Sequence, residues 1–341
     1  MEKIRLGKTD LYVSRTSFGA LPIQRIGHRE AARLLRRAYD GGVNYFDTAN
    51  AYSDSEEKIG EALHDVRQSI VISTKSEATD RKTATAHIEN SLRMLRTDYI
   101  DIFQFHNPAV LPDPDDPDGA YAAALEAKRK GYIRHIGISN HRLNVARQAL
   151  ESGNFETLQF PFCYLASDAE YGVVKRCREL DIGFIAMKGL SGGLLSNAEA
   201  CYAFMRGYDN VVPIWGIQSE KELDEWLDLS RRDPHMTPEL EAVIAKDRKE
   251  LVGNFCRSCG YCLPCAAGID IPQAARMAML LHRAPYRQYM TDEWYAKMHK
   301  VEDCIHCDAC KSRCPYNLDT PALLQSMLAD YDSFYAVHRD D

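Results

Sequence analysis

Alternating strand and helix patterns run through the first two thirds of this 341-residue chain. Short runs of β-branched and aromatic residues recur at intervals of roughly 23–33 residues, which suits successive strand–helix units. Eight such units in roughly 220 residues fit a closed parallel barrel better than an open doubly wound sheet. The first strand is not followed by Gly-x-Gly-x-x-Gly, which argues against a Rossmann domain. The predicted strands begin near Ser14, Val43, Ser69, Tyr99, Ile133, Glu156, Ile182 and Val211.

The barrel pattern ends at Asp233-Pro234, where proline disfavours a continuing helix. A charged helix over Pro238–Leu251 then leads into the first of two cysteine groups. We therefore expect a barrel at residues 1–235, a linker helix at 236–252 and a small helical domain at 253–341. The predicted barrel helices include His28–Asp40, Ser55–His64, Thr83–Leu95, Ala120–Lys130, Tyr171–Leu180 and Glu220–Leu229.

Eight of the eleven cysteines lie in two tight groups near the C-terminal end. Three cysteines at successive two-residue gaps can wrap one compact inorganic core, while the fourth sulfur points to a neighbouring core. Zinc sites more often pair two Cys-x2-Cys units across a longer gap. The spacing therefore favours two [4Fe-4S] clusters, with zinc as the alternative. The groups are Cys256, Cys259, Cys262 and Cys265, and Cys304, Cys307, Cys310 and Cys314.

The second cysteine group, which ends in Cys314-Pro315, resembles the bacterial ferredoxin run in full. The first group is one residue shorter before its last cysteine, and Pro264 precedes that cysteine. A weak internal repeat accompanies the groups, because residues 265–272 and 314–321 each lead into an apolar helix with proline near its start. The resemblance implies crossed ligands: Cys256, Cys259, Cys262 and Cys314 for cluster one, and Cys304, Cys307, Cys310 and Cys265 for cluster two.

Polar residues stand at the ends of the second, third and fourth predicted barrel strands. Asp47 ends the second strand and Tyr52 follows it, Lys75 ends the third, and His106 ends the fourth. Catalytic groups of (β/α)8 enzymes lie at these carboxyl ends. A phenol with a pKa of about 10 donates a proton poorly at neutral pH unless a cation lowers that pKa. We expect Lys75 to lower it, Asp47 to hold Lys75, and His106 to orient a carbonyl oxygen.

Residues 7–19, 44–52 and 137–140 resemble the aldo/keto reductase family, and the similarity covers roughly the first 230 residues. The resemblance implies a barrel enzyme that acts on a small-molecule carbonyl or alcohol. It also implies that a tetrad protonates the carbonyl while a nicotinamide delivers hydride. The tetrad would be Asp47, Tyr52, Lys75 and His106, and the contacts to the carboxamide would be Ser139, Asn140 and Gln159.

The chain departs from the family in the loops that bind the dinucleotide. After strand seven the family usually has Tyr-Ser-Pro-Leu-Gly, and this chain has Met187-Lys-Gly-Leu-Ser191. After strand eight, Glu222 and Trp226 occupy positions where the family has Gln and Asn near the adenine. NAD(P)(H) is therefore expected to bind weakly, without preference for NADP, or not at all. The remaining predicted contacts are Met187, Lys188, Gly189, Gly216, Gln218 and Ser219.

The predicted barrel and the predicted cluster domain transfer electrons in different numbers. A nicotinamide transfers a two-electron hydride, whereas each cluster passes single electrons. One hypothesis is a carbonyl reductase or alcohol dehydrogenase that uses NAD(P)(H), with clusters that are structural or connected to a partner. A second is a nicotinamide-independent enzyme whose clusters exchange electrons with a ferredoxin-like partner. A third, a non-enzymatic binding module, is disfavoured by the complete tetrad and the organised cysteines.

Charge and hydropathy exclude several partners. The net charge is −7, and the chain has no run of Lys and Arg that would bind nucleic acid or an anionic membrane. No apolar stretch approaches the roughly 20 residues needed to cross a bilayer. The first residues lack the order of a secretory signal. We therefore expect the protein in the cytoplasm.

Overall fold

The structure is a computed structural model that describes residues 1–251, 255–283 and 286–339. Contacts divide the chain into two compact units. The first contains residues 1–189 and 198–244, and the second contains residues 190–197 and 245–341. The predicted boundary between residues 252 and 253 lies outside the described residues, and the division into three parts stays a prediction.

The first unit contains a closed barrel of eight parallel strands, which confirms the predicted fold class. The barrel strands follow one another in chain order, with the last paired to the first. An antiparallel hairpin, β1 with β2, precedes them. The strands are β1 Lys3–Arg5, β2 Tyr12–Ser14, β3 Ser17–Gly19, β4 Tyr45–Asp47, β5 Val71–Ser76, β6 Ile100–His106, β7 Ile133–Ser139, β8 Thr157–Pro161, β9 Gly183–Met187 and β10 Val211–Gly216.

Helices alternate with the barrel strands and then continue alone through the second unit. Short 3-10 helices also occur, at Gly7–Thr9, Pro22–Arg25, His64–Ser69, Tyr286–Tyr289 and Lys300–Asp303. The α-helices are α1 His28–Asp40, α2 Ser55–Leu63, α3 Arg81–Met94, α4 Ala120–Arg129, α5 Leu143–Ser152, α6 Asp168–Glu179, α7 Ala198–Arg206, α8 Glu220–Arg232, α9 Pro238–Glu250, α10 Ile271–Ala274, α11 Met277–Arg283, α12 Asp292–His299, α13 Ala309–Arg313 and α14 Thr320–His338.

The barrel interior explains why these strands are apolar and why one of them needs a glycine. Every residue of β5 is buried, as expected for a parallel strand covered on both faces. In β7, a Cβ at Gly137 would lie 2.0 Å from the Thr157 Oγ1 atom of β8. The close approach of these two strands therefore requires glycine at this position.

The second unit has its own apolar core and repeats its backbone around the cysteines. Met277, Val301 and Tyr331 are fully buried in that core. Asp270 before α10 and Asp319 before α14 have nearly identical φ and ψ angles, −75° and 76° against −74° and 77°. Ser258 and His306, each two residues after the first cysteine of its group, both have left-handed φ angles. The predicted internal repeat is thus a repeat of conformation.

The hydropathy of the helices relates to the expectation that no stretch of the chain is long and apolar enough to cross a bilayer. Among the described residues, no helix combines the length and apolar character that a membrane span requires.

Candidate functional site

A buried ion pair joins the ends of β4 and β5. The Lys75 ammonium lies 2.6 Å from the Asp47 carboxylate and also donates to the backbone oxygen of Thr48 at 2.6 Å. Lys75 is only 1% exposed. Burial lowers the pKa of Lys75, and the charge of Asp47 opposes that shift. The second carboxylate oxygen of Asp47 accepts from the Ser73 hydroxyl at 2.6 Å, so the pair is held in one orientation.

Tyr52 and His106 lie beside this pair, so the structure brings the four predicted tetrad residues together. The Tyr52 and His106 rings meet edge to face with centroids 5.7 Å apart. The Lys75 ammonium is 5.1 Å from the centroid of the Tyr52 ring. All four residues stand at or just beyond the carboxyl ends of β4, β5 and β6, where barrel enzymes place their chemistry.

The electrostatic state of Tyr52 differs from the prediction. Burial raises the pKa of the Tyr52 phenol far above its usual value, and the carboxylates of Asp47 and Glu77 raise it further. The prediction that Lys75 lowers this pKa is therefore wrong for this structure. The reason is that Asp47 largely neutralises the ammonium at close range while burial penalises the phenolate. Tyr52 is thus held as a neutral O–H donor.

His106 is also held in its neutral form. Burial lowers the pKa of His106 to about 3, and the positive charge of Lys75 acts in the same direction. Its Nδ1 atom is buried without a hydrogen-bond partner, and the nearest carboxylate oxygen, of Glu77, is 3.8 Å away. A neutral imidazole has one N–H, which can donate to a carbonyl oxygen without carrying a charge.

The low pKa of His106 predicts a loss of stability in acid. In the unfolded chain this histidine takes up a proton near its ordinary pKa of about 6.5, whereas the folded chain resists until about pH 3. Stability should therefore fall as pH falls between these values, by up to about 1.4 kcal/mol per pH unit from this group. Denaturant unfolding at several pH values should show that the free energy of unfolding falls less steeply with decreasing pH in His106→Asn than in the unaltered protein. Equal slopes in both proteins would contradict the burial argument.

The ion pair predicts a non-additive effect on stability. Lys75→Met leaves the Asp47 carboxylate buried and unpaired, which should cost about 3–5 kcal/mol of unfolding free energy. The double variant Asp47→Asn/Lys75→Met removes both charges and should recover most of that loss. The midpoint of barrel unfolding in denaturant measures both. A double variant as unstable as Lys75→Met would argue against a charge-based cause.

Sequence reasoning missed Gln104, which lies in the layer beneath the tetrad. Its amide nitrogen donates to the Gln159 side chain at 2.8 Å and approaches the Asp47 carboxylate at 3.4 Å. Gln104 precedes His106 by two residues in β6, so the two side chains point to the same side of the strand. The two-residue alternation was the signal that could have identified it.

The three predicted carboxamide contacts are all buried, but two of them are engaged within the protein. The Asn140 side chain donates to the Pro108 oxygen at 2.8 Å and accepts from the Arg142 nitrogen at 2.7 Å. The Gln159 amide nitrogen lies 3.4 Å from Asp47, as well as receiving Gln104 on its oxygen. Ser139 is paired with Gln159 in the β7–β8 register. Their contact with a nicotinamide stays a prediction.

The loop after β10 satisfies its own backbone donors. Ser219 caps α8, and the Glu222 carboxylate accepts from the backbone nitrogens of Gln218 at 2.8 Å and Ser219 at 3.1 Å. Trp226 stacks on Trp215 with ring centroids 3.9 Å apart. Donors at a helix N-terminus often hold phosphate groups. Here a carboxylate of the chain already occupies them, which is unfavourable for a 2′-phosphate.

The loop after β9 begins with the remaining predicted cofactor contacts. Met187 ends β9, and Lys188 has a left-handed φ of 59°. A Cβ at Gly189 would lie 2.5 Å from the ring of Trp215, so the indole excludes any larger residue there. Gly216 ends β10, beside this ring. The structure thus places the Trp215 ring against Gly189, two residues beyond the end of β9.

Four cysteines line one cavity in the second unit. They are Cys256, Cys259, Cys262 and Cys314, which is the set implied for cluster one, and apolar side chains such as Ile271 and Leu323 complete the wall. Burial and the neighbouring Cys256, Cys259 and Cys310 raise the pKa of Cys262 to about 12. A bound core of iron would reverse that shift by stabilising the thiolates, so the residues fit a cluster.

The second cysteine set lies nearer the surface. Burial raises the pKa of Cys310, and the neighbouring Cys304 and Cys307 contribute in the same direction, so these three are close together. The participation of Cys265 in this set stays a prediction. Within the described residues, no three His, Cys, Asp or Glu side chains are grouped tightly enough to hold a single metal ion.

The profile of the aldo/keto reductase family matches residues 16–211, more than half of the chain. The protein belongs to the aldo/keto reductase family. It is accordingly an oxidoreductase. A 4Fe-4S dicluster domain profile matches residues 255–319, and this second match supports iron–sulfur clusters in this aldo/keto reductase.

Several relatives of this aldo/keto reductase match its barrel. The uncharacterized oxidoreductase YqkF of Bacillus subtilis is 32% identical over 176 residues, 48% of this chain and 56% of that protein, so the chain spans just over half of that relative. The NADH-specific methylglyoxal reductase of Escherichia coli is 27% identical over 226 residues, 58% of this chain and 69% of that protein. The solved holo form of AKR11C1 from Bacillus halodurans has a TM-score of 0.62 at 25% identity, covering 74% of this chain and 98% of that one.

Proposed function

We propose that the barrel reduces a small-molecule carbonyl, or oxidises the corresponding alcohol, with a nicotinamide as the hydride carrier. The observation that carries this proposal is the convergence of Tyr52, His106 and the Asp47–Lys75 pair at one end of the barrel. A bound nicotinamide would supply the hydride. The identity of the carbonyl depends on loops beyond these four residues.

The tetrad residues divide the work of protonation. Tyr52 donates its phenolic proton to the carbonyl oxygen as negative charge develops there, and its raised pKa keeps that proton in place until then. His106, neutral because of its lowered pKa, donates a hydrogen bond to the same oxygen and so orients it. The Lys75 ammonium, which Asp47 fixes, stabilises the negative charge of the phenolate, and the phenolate becomes neutral again by taking up a proton from solvent.

We infer a preference for NADH over NADPH. The Glu222 carboxylate occupies the backbone donors of Gln218 and Ser219 and would repel a 2′-phosphate in that position. Trp226, which stacks on Trp215, replaces the residue that contacts adenine in the family. The NADH specificity of the Escherichia coli relative is consistent with this preference. Ser139, Asn140 and Gln159 would hold the carboxamide after their present hydrogen bonds rearrange.

The second unit would hold two [4Fe-4S] clusters, each supplying one-electron transfer when bound. Cys256, Cys259, Cys262 and Cys314 would ligate the first. The chemistry of the second set, Cys304, Cys307, Cys310 and Cys265, suits the same metal core, and its greater exposure suits exchange with a ferredoxin-like partner in the cytoplasm.

Equilibrium binding to the anaerobically purified protein tests the cofactor proposal. Quenching of tryptophan fluorescence by NADH should saturate, and NADPH should bind at least about tenfold more weakly because of the charge of Glu222. Glu222→Gln keeps the capping oxygen while removing the charge, so it should narrow the gap between the two cofactors. Tighter binding of NADPH than of NADH by the unaltered protein would refute the preference.

A second function is favoured by the same loop geometry. The tryptophan pair and the self-satisfied donors reduce the space and the hydrogen-bonding groups left for the adenosine end of any dinucleotide. In this alternative the clusters exchange electrons between a ferredoxin-like partner and a substrate in the barrel. It predicts no saturable binding of either nicotinamide, together with cluster reduction by a low-potential donor.

A further inference from the structure

A buried arginine, Arg276, lies next to the cavity of the first cysteine set. It follows Ala275, which lines that cavity, and is 5% exposed. Its Nη2 atom donates to the backbone oxygen of Gly192 at 2.7 Å. Its Nε atom is buried without a hydrogen-bond partner. A guanidinium with an unused donor in such a place is costly unless a group with negative charge compensates it.

The cysteines of the first set are among the groups that can compensate this charge. Burial lowers the pKa of the Arg276 guanidinium, and Cys256 and Tyr289 oppose that shift. Within the described part of the chain, no carboxylate contributes to the charge balance of Arg276. Arginine keeps its proton at all ordinary pH values. A buried positive charge therefore lies next to the cavity whose cysteines would hold the cluster.

We propose that Arg276 is a positioning residue for the first cluster, raising its reduction potential and securing the segment of residues 190–197 beside it. The inference rests on the proposed ligand set of Cys256, Cys259, Cys262 and Cys314. Reduction adds one negative charge to a cluster, and a nearby cation in a low-dielectric site stabilises the reduced form. The first cluster should therefore accept an electron more readily than it would without Arg276.

The second cysteine set has no equivalent of Arg276 among the described residues. The cations near it, Lys300, Lys311 and Arg313, are exposed or half-exposed, and the two lysines are paired with Asp303 and Asp319. Solvent and counter-charges screen such groups. The internal repeat thus gives two similar backbones with different electrostatic surroundings, which separates the two potentials.

The contact with Gly192 gives Arg276 a second role. Gly192 has a left-handed φ of 68°, and a Cβ there would meet the Arg257 oxygen at 3.3 Å and the guanidinium at 3.5 Å. Residues 190–197 belong to the second unit, although they follow Lys188 and Gly189 directly in the chain. Arg276 therefore links the surroundings of the first cluster to the segment that continues from the predicted nicotinamide contacts.

Redox titration of the anaerobic full-length protein, followed by electron paramagnetic resonance, tests the inference. Arg276→Gln should lower the ratio of reduced to oxidised first cluster at a fixed potential at least tenfold, which is about 59 mV for a one-electron couple. Arg276→Lys retains the charge and should change the ratio less than about threefold. Arg313→Gln removes an exposed guanidinium that donates to Pro264, and it should have no larger effect than Arg276→Lys.

The outcomes separate this inference from the cluster assignment. A first cluster that is present in Arg276→Gln with an unchanged potential would overturn the role of Arg276 alone. If Arg276→Gln loses the cluster, the test rests on Arg276→Lys, which retains the positive charge. A tenfold change in the ratio of reduced to oxidised first cluster in Arg276→Lys would also overturn the role of Arg276. A wild-type protein without iron–sulfur signals would overturn the ligand assignment, and this inference with it.

Discussion

Tyr52→Phe is expected to lower kcat for carbonyl reduction by about 10²–10⁴-fold, because it removes the proton donor and leaves the ring in place. Tyr52 has that role because its ring lies beside Lys75 and His106 and its phenol is held protonated. Steady-state kinetics with an aldehyde substrate measure the change. The spectrum of the iron–sulfur clusters should not change, since Tyr52 belongs to the first unit.

Tyr121→Phe provides the matched control, because it deletes the same atom elsewhere in the barrel unit. The Tyr121 hydroxyl donates to the Asn154 oxygen at 2.6 Å, a hydrogen bond that involves none of the tetrad residues. Its loss should cost about 1 kcal/mol of stability and leave kcat unchanged. Turnover by Tyr52→Phe at the rate of the Tyr121→Phe control would exclude Tyr52 as the acid.

Cys314→Ala is expected to remove the first cluster and about half of the bound iron, although Cys314 lies in the second sequence group. The reason is that Cys314 lines the cavity of Cys256, Cys259 and Cys262. Iron analysis and paramagnetic resonance of the anaerobic protein measure the loss. Cys256→Ala should remove the same signal, whereas Cys307→Ala should remove the other.

A cysteine in the barrel serves as the control for this substitution. Cys201 is buried in α7, and Cys201→Ala should retain all of the iron. Loss of the same signal in Cys314→Ala and Cys307→Ala would contradict the crossed arrangement. It would mean that each sequence group holds its own cluster.

The fold was accessible from sequence because its signals are local and periodic. Helix α1 begins and ends where its amphipathic pattern predicts, and seven of the eight barrel strands begin within two residues of their predicted starts. The first strand is the exception. Residues Tyr12–Ser14 have the same β-type composition as a barrel strand but pair with Lys3–Arg5, and the barrel begins at Ser17. Composition identifies a β-type run but does not identify the strand with which that run pairs.

The sequence predicted which residues form the candidate site, but it did not predict their pKa values. Strand ends and spacing led to Asp47, Tyr52, Lys75 and His106, which the structure brings together. The direction of the Tyr52 shift depends on burial and on how completely Asp47 neutralises Lys75, and both require three-dimensional positions. The Glu222 contacts, by contrast, had a local signal, because Ser219 and Glu222 have the spacing of a capping box.

The arginine beside the first cysteine set had no sequence signal at all. Arg276 lies in the turn between α10 and α11 with no regular spacing to the cysteines, and only the fold brings it to Gly192 and near Cys256. A repeat in sequence predicts similar conformations, as Asp270 and Asp319 demonstrate. It does not predict the charges that tertiary packing adds to one copy.

We propose above all that a nicotinamide would deliver hydride to the carbonyl carbon while Tyr52 protonates the carbonyl oxygen, in a chain that also holds iron–sulfur clusters. The most direct test of this proposal is a single turnover of the anaerobic holoprotein with NADH and an aldehyde. The nicotinamide band and the iron–sulfur absorbance are followed together. We expect one NADH to be consumed for each alcohol formed, with the cluster absorbance unchanged. Alcohol formed from pre-reduced protein without NADH, matched by reoxidation of the clusters, would contradict it.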